Sequence, residues 1–403
     1  MKRIVLLALA LIALMPSGMA QLLPLISGER NVLSLDLSHL YNYNQYEKSR
    51  WGLGLQYDIN FAEKSRFKTL TLSGYGAYGY GDERFKWGLK ADLLSGQRYP
   101  THSYVSFFHD LTADASRTLN AYQLLNFNAT GAYMTRRFSD TWRLTLGFSR
   151  QATAHSTGSV ELRLSRERGL HSGLTLIYPS TYSELKGLPH CDFVEGRLFV
   201  AHTSGFRGEL LVGVCGDFPD IFSENFLRQQ SFLRLLLQYD KEFYFSAFEF
   251  DLFAQTGFVN SDAPYSRLFD LGGTWGSPIA MGQGLLTARP NEFVANLFAL
   301  VNLRLATQKP LFDVRNAAFA IGSCPTPFVL CNAAWGKMGD YTGAEVPDKG
   351  ILEVGGGVDG LIVWGAVRWG GAVVYRLTPS DADYHFSDPE DNYTFLLTAV
   401  LDL

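Results

Sequence analysis

The chain has 403 residues, among them 39 Gly, 29 Phe, 20 Tyr and 7 Trp, with 18% charged residues and 35 Lys and Arg set against 39 Asp and Glu. So many aromatics exclude a disordered chain, and the lack of a basic excess excludes a binder of nucleic-acid backbone. A polytopic helical membrane protein would need several apolar runs of about 18 residues, and only the N-terminus approaches one.

That run reads Met1-Lys2-Arg3, an apolar stretch from Ile4 to Met15, then Pro16-Ser17-Gly18-Met19-Ala20. Basic start, apolar centre and small residues at the end are the layout of a secretory signal, with cleavage expected after Ala20. Gln21 follows where a lipid-anchored terminus would need Cys. Residues 21–403 then read as one domain.

Two-residue alternation recurs along that domain. From Trp51 to Asn60 every odd position is apolar or aromatic and every even one is Gly or polar. From Arg84 to Leu93 one face carries Phe85, Trp87, Leu89, Ala91 and Leu93, the other Lys86, Lys90 and Asp92. Phe193 to Ala201 and Val294 to Leu305 repeat the pattern, and Tyr393 to Leu403 ends the chain on a strand able to close against the first. Such strands have one greasy and one wet face. They suit a soluble two-sheet sandwich or a transmembrane barrel with apolar residues turned to lipid.

Strand lengths of roughly 9 to 12 residues favour the barrel, because they suit a tilted bilayer crossing. Aromatics near strand ends (Trp51, Tyr57, Tyr78, Tyr80, Phe243, Tyr244, Tyr393) fit interfacial girdles. The expectation is an all-β, antiparallel transmembrane β-barrel of about 16 strands, within a range of about 14 to 18. Its lumen would carry Lys86, Lys90, Arg197, Arg234 and Arg304 with Asp92, Glu195, Glu249 and Asp251. Mixed signs imply internal pairing or weak ion selectivity.

The eight His residues form no His-Glu-x-x-His pattern, and no Gly-x-Ser-x-Gly elbow occurs. His155-Ser156 and His171-Ser172 are sequence neighbours, and neighbours on a strand point to opposite faces, so neither makes a nucleophile and base. The chain is expected to be non-enzymatic, with no catalytic, cofactor or metal residues. Cys191 with Cys215, and Cys324 with Cys331, are locally spaced and expected to form disulfides in an exported setting, the alternative being four packed thiols. Asp381, Asp383, Asp388, Glu390 and Asp391 read as a solvated loop that could also hold cations beside lipopolysaccharide. The longest stretch without alternation, 258–292, mixes Tyr265, Phe269 and Trp275 with Gly272, Gly273, Gly276, Gly282 and Gly284, which lets a backbone fold tightly around aromatic anchors.

Phe232 to Tyr239, Ala263 to Gly273, Arg289-Pro290-Asn291-Glu292-Phe293, Leu352-Glu353-Val354-Gly355 and Arg368 with Tyr375-Arg376-Leu377 resemble a family of outer-membrane barrels typical of Bacteroidota, in which a carboxypeptidase-regulatory-like domain often precedes the barrel. That family is a distant relative of the bacterial surface-antigen superfamily of BamA and TamA. The likeness runs over roughly residues 50–403. No such domain stands between Ala20 and the first strand, and the superfamily's Arg-Gly-aromatic motif is not visible around Gly272-Gly273-Thr274-Trp275-Gly276. The resemblance implies an outer-membrane location in a Gram-negative bacterium and a role in envelope biogenesis, handling other outer-membrane proteins or lipids. It implies as partners outer-membrane lipid and lipopolysaccharide, the barrel-assembly machinery during insertion and a separate periplasmic protein, with no nucleic acid. It also implies that the 258–292 loop turns back to enter or cap the lumen, with Arg267 or Arg289 meeting inward carboxylates such as Glu249 and Asp251, the alternative being an extracellular loop lying over the rim. A passive pore or structural porin is the alternative, and an outer-membrane lipase-type enzyme the second.

Overall fold

The computed structural model describes residues 22–44, 46–62, 65–96, 99–113, 116–117, 137–171, 191–216, 230–260, 263–272, 284–288, 293–316, 321–338, 346–364, 367–377 and 393–401. In chain order the strands are β1 (Leu22–Ser27), β2 (Asn31–Asp36), β3 (Tyr41–Asn44), β4 (Lys48–Asn60), β5 (Phe67–Gly79), β6 (Arg84–Ser95), β7 (Thr101–Ala113), β8 (Arg137–Gln151), β9 (Ser156–His171), β10 (Cys191–His202) and β11 (Phe206–Gly216). They continue with β12 (Gln230–Phe245), β13 (Phe248–Val259), β14 (Phe269–Asp270), β15 (Val294–Ala295), β16 (Leu297–Thr307), β17 (Val314–Asn316), β18 (Ile321–Ser323), β19 (Thr326–Lys337), β20 (Ile351–Trp364), β21 (Val367–Leu377) and β22 (Tyr393–Leu401).

Twenty of these strands share one antiparallel sheet among the described residues. β4 to β13 pair in sequence order, followed by β13 with β16, β16 with β19, and β19 through β22. β2 and β3 lie end to end along β4, separated by the 3-10 turn Leu37–His39, and make one interrupted strand. With that strand and the fifteen long ones, β4 to β13, β16 and β19 to β22, the wall has the expected sixteen. β1 is an extra edge strand on β2, and the β17–β18 hairpin extends the sheet at the end of β20.

The wall is inside-out relative to a soluble protein. On β6, Lys86 is 0% exposed and Lys90 is buried, whereas Phe85 is 58% and Leu89 59% exposed. The same contrast holds on β10, where Leu198 and Val200 face out while Glu195 and Arg197 are buried. A sheet in water would reverse this, because leaving that much apolar area wet forgoes about 25 cal/mol per Å². The outer face therefore matches hydrocarbon, and this is a transmembrane barrel wall. Among the described residues no helix is long and apolar enough to cross a membrane. Exposed aromatics collect at both ends of the wall, with Trp51, Tyr78, Trp142 and Tyr375 at one and Phe148, Phe206, Phe245 and Phe248 at the other.

Connections of unequal length separate those two ends. The strand ends that 114–136, 172–190, 217–229, 260–296, 338–350 and 378–392 connect are at one, the long-loop end. The spans 61–66, 96–100, 152–155, 203–205, 246–247 and 365–366 lie at the other, the short-turn end. Two break the pattern: 80–83 is short at the long-loop end, and 308–325, which holds β17 and β18, is long at the short-turn end.

Two expectations need correcting. The last strand does not close the sheet: no ladder joins β22 to β1, β2 or β3 among the described residues. β1 offers a poor edge, because Pro24 supplies no N–H and the register slips between Pro24 and Ile26. The disulfides are also absent, and all four cysteines stand as thiols. Cys191 and Cys215 are buried within hydrogen-bond reach of each other, but they sit diagonally rather than opposite, Cys215 facing Phe193. For Cys324 and Cys331 the geometry forbids a bond. Pro325-Thr326-Pro327 reads as a turn, yet Thr326 begins β19, and Pro327 is tolerated because the β16 ladder starts one residue later, at Phe328. The five strand steps from Thr326 to Cys331 alone span about 16 Å, too far for the two residues before them to bring Cys324 back within the roughly 4.4 to 6.8 Å a disulfide spans. Mass mapping under non-reducing conditions should find no Cys324–Cys331 link, and its presence in folded protein would contradict this strand register.

Candidate functional site: a tongue inside the barrel

After β13 the chain turns into the lumen. Pro264 O accepts the Arg267 N–H at 2.9 Å, closing the 3-10 turn Tyr265–Arg267, and β14 then pairs with β15 in a ladder separate from the wall. Asp270 accepts the Gly272 N–H at 2.9 Å, and Gly272 bridges to Leu285. Leu268, Phe269, Leu271, Leu285, Phe293, Val294 and Ala295 are fully buried. Phe269 packs on Phe298 of the wall, their centroids 4.9 Å apart, and a Cβ at Gly257 would lie 2.8 Å from the Phe269 ring, so the wall needs glycine there. The expected single strand from Val294 to Leu305 is thus divided at Asn296. Val294 and Ala295 belong to the tongue and Leu297 onward to the wall.

Polar anchors hold both flanks of the tongue. On one side Arg267 gives two hydrogen bonds to Glu167 on β9 (2.9 and 3.0 Å) and one to Glu195 on β10 (2.5 Å), with its guanidinium 4.1 Å from the Phe193 ring centroid. Burial alone would lower the Arg267 pKa, but the two carboxylates outweigh it and hold the group above its ordinary value. Arg234 on β12 donates to the Arg267 carbonyl at 3.0 Å and to Glu209 at 2.6 Å. On the other side Glu353 on β20 accepts the N–H groups of Leu286 and Thr287, each at 2.8 Å, the Thr287 hydroxyl, and Asn332 Nδ2 at 3.0 Å. Arg376 on β21 donates to Thr287 Oγ1 at 2.8 Å. One tongue touching β9 on one flank and β21 on the other means that the sheet curls around it.

A second loop joins it. Arg117, beyond β7, donates to the Asp270 carbonyl and to Gln255 Oε1 (2.7 Å), while Gln255 returns a bond to the Arg117 carbonyl at 3.0 Å. Burial pushes the Arg117 guanidinium down to about 10, with Asp270 opposing only in part.

Arg267 sits against Glu167 and Glu195 and does not meet Glu249 and Asp251. Those two lie at the short-turn end beside Glu242, and Asp251 is bonded to Arg304 at 3.0 Å. The tongue leaves β13 at its opposite end, at Val259, so inward carboxylates near the long-loop end are the ones within reach. Gly272 belongs to the tongue. Gly273, Trp275 and Arg289 lie outside the described residues, as do the signal sequence and the acidic stretch 381–391. Several of the expected lumen charges are paired: Lys86 with Glu47 (3.1 Å), Lys90 with Asp92 (3.1 Å), Arg197 with Glu161 and Glu209 (3.0 and 2.6 Å), and Arg304 with Asp359 (2.7 Å). Sequence reasoning missed Glu167 and Arg117, and took Glu353 only as part of a motif. Its available signal was an inward carboxylate between the outward Leu352 and Val354 on an alternating strand.

No family model matches this sequence, and no curated protein does. Solved structures similar to it include CdiB from Escherichia coli (TM-score 0.45, 11% identity, covering 93% of this chain and 64% of that one) and CdiB from Acinetobacter baumannii (0.42, 9%, 92% and 59%). A third is a bacterial polysaccharide outer membrane secretin (0.33, 8%, 91% and 93%). The chain spans less than two thirds of the length of either CdiB chain.

Proposed function

We propose that this chain is a non-enzymatic, plugged barrel of a Gram-negative outer membrane, of the surface-antigen type, which serves envelope biogenesis by admitting or assembling envelope components when its tongue withdraws. The observation that carries this reading is the two-sided anchorage of the tongue, by Glu167 and Glu195 through Arg267 and by Glu353 through Leu286 and Thr287. A standing open pore is disfavoured because lumen charges such as Arg50, Lys86 and Arg197 are almost wholly shielded from water, each bonded to a carboxylate. The unpaired seam between β22 and β1 favours an assembly role, since an edge without a ladder partner can take one up. Barrels of this kind have short periplasmic turns and longer extracellular loops, which places the long-loop end outside. Outer-membrane lipid, the assembly machinery during insertion and a separate periplasmic protein are the partners this reading entails.

Planar-bilayer conductance of the purified barrel tests it. The intact protein should conduct little, and deleting Asp270 to Leu286 should raise conductance clearly, with heat-modifiable gel mobility showing that the wall still folds. Unchanged conductance in a deletion variant that keeps heat-modifiability would end the plug reading. Recovery of the protein as a soluble periplasmic species would end the membrane reading.

A further inference from the structure

The outer surface near the long-loop end carries an arrangement that the tongue does not use. Trp87 on β6, His109 on β7, Trp142 on β8, Arg166 on β9 and Asp192 on β10 are directly opposite one another in successive ladders, so they form one row across five strands. Trp142 and Arg166 face outward from this row, Trp87 and His109 are half-buried beside them, and Asp192 at its end is buried. Trp142 is exposed, its ring lies 5.9 Å from Trp87, and His109 stacks on it at 4.2 Å. Aromatic rows of this kind sit at the level of lipid headgroups.

Guanidiniums gather near that row: Arg166 and Arg168 stand on its face of β9, while Arg84, at the first position of β6 and of the same parity as Lys86, reaches Asp140 from the strand end. Arg166, 56% exposed, gives Nε and Nη2 to the two oxygens of Asp192 at 2.7 and 2.9 Å. Two residues further along β9, Arg168 is opposite Asp140 and exposed. Asp140 instead accepts from Arg84 at 2.8 Å and holds His109 at 2.7 Å. Among the described residues, Arg84 and Arg166 each meet one of the two carboxylates and Arg168 has no ion-pair partner. In hydrocarbon such charge is costly. At the headgroup level it becomes an asset, because a planar guanidinium binds phosphate through two parallel N–H bonds, and carboxylates that hold neighbouring side chains in place reduce the ordering needed on binding.

We infer that Arg84, Arg166 and Arg168, standing above Trp87 and Trp142, form a binding site for the phosphate groups of an outer-leaflet glycolipid. The inference rests on the orientation argued above, with the long-loop end outside, and it extends that reading by naming a lipid and where it sits. The glycolipid's sugar would lie over the indole rings and its acyl chains along the apolar outer faces of β6 to β9, where Leu89, Phe107, Leu146 and Leu162 are exposed.

The test is native mass spectrometry and binding of the purified, detergent-solubilised full chain to nanodiscs of phosphatidylcholine containing lipid A, with phosphatidylglycerol nanodiscs and inorganic phosphate as the other arms. Arg168→Gln removes the arginine that has no carboxylate partner among the described residues, and the double variant R166Q/D192N removes both members of the Arg166–Asp192 pair. Each should weaken lipid A retention by about tenfold, the usual effect of losing one charge-assisted bond set, and leave phosphatidylglycerol retention unchanged. Heat-modifiability reports folding. Lipid A retention equal to that of the parent in both folded variants would overturn the site. Equal losses for phosphatidylglycerol would overturn the assignment to a glycolipid, and displacement of lipid A by millimolar phosphate would overturn a lipid source altogether. Conductance after tongue deletion is independent of these residues, so failure here is distinguishable from failure of the plug reading.

Discussion

Replacing Arg267 with leucine is expected to release the tongue and open the barrel. The substitution strands Glu195, which is 1% exposed, without the guanidinium bonded to it, whereas Glu167 keeps Arg143 at 3.0 Å. Removing one partner of a buried, hydrogen-bonded ion pair costs about 3 to 5 kcal/mol, chiefly because the remaining charge is left unpaired. At 1.4 kcal/mol per tenfold, the docked fraction should fall on the order of 10²- to 10³-fold relative to the undocked one. Single-channel recording should show frequent or sustained openings, and the folded band should convert at a lower temperature. Arg267→Lys should fall between, since one ammonium cannot present a fork to both carboxylates. Adding Glu195→Gln to the leucine variant should recover part of the loss by removing the orphaned charge. Parental conductance and parental thermal conversion in Arg267→Leu would refute the anchoring role.

Glu353→Leu should weaken the opposite flank by a similar route but through hydrogen-bond donors. Its carboxylate satisfies two backbone N–H groups, a hydroxyl and an amide, all buried. Each unmet donor costs about 1 to 3 kcal/mol, reduced where water enters, so a loss of roughly 2 to 4 kcal/mol is expected. Glu353→Gln keeps an acceptor oxygen and should lose less. The same conductance assay reads the effect, and a combined Arg267→Leu, Glu353→Leu protein shows whether the tongue is one body. If the flanks dock independently the two free energies add, and a departure beyond about 0.5 kcal/mol means that they dock together. Glu353→Leu with parental conductance would place the seal entirely on the Arg267 side.

Alternation in sequence was enough to determine the wall. A strand exposes successive side chains to opposite faces, so Phe85, Leu89, Lys86 and Lys90 sort themselves by position alone, and the same local rule marked most of the lumen charges that the structure pairs. It also singled out 258–292, because a long aromatic and glycine-rich interruption has no place in a period-two pattern. Period two reports the face of a side chain, however, and not its height across the membrane relative to a segment entering from one end. Glu249 and Asp251 have the right face and the wrong height, whereas Glu167 lies 100 residues from Arg267 in sequence and meets it in the lumen. The two prolines around Thr326 carried a turn signal that the ladder to β20 overrode, because the β16 ladder begins one residue too late to need the missing N–H. Which carboxylate meets Arg267, whether Arg117 joins the tongue and how the first and last strands face each other depend on sheet curvature, register and loop trajectory. Those are set by contacts between residues far apart in the chain, and only the tertiary structure decided them.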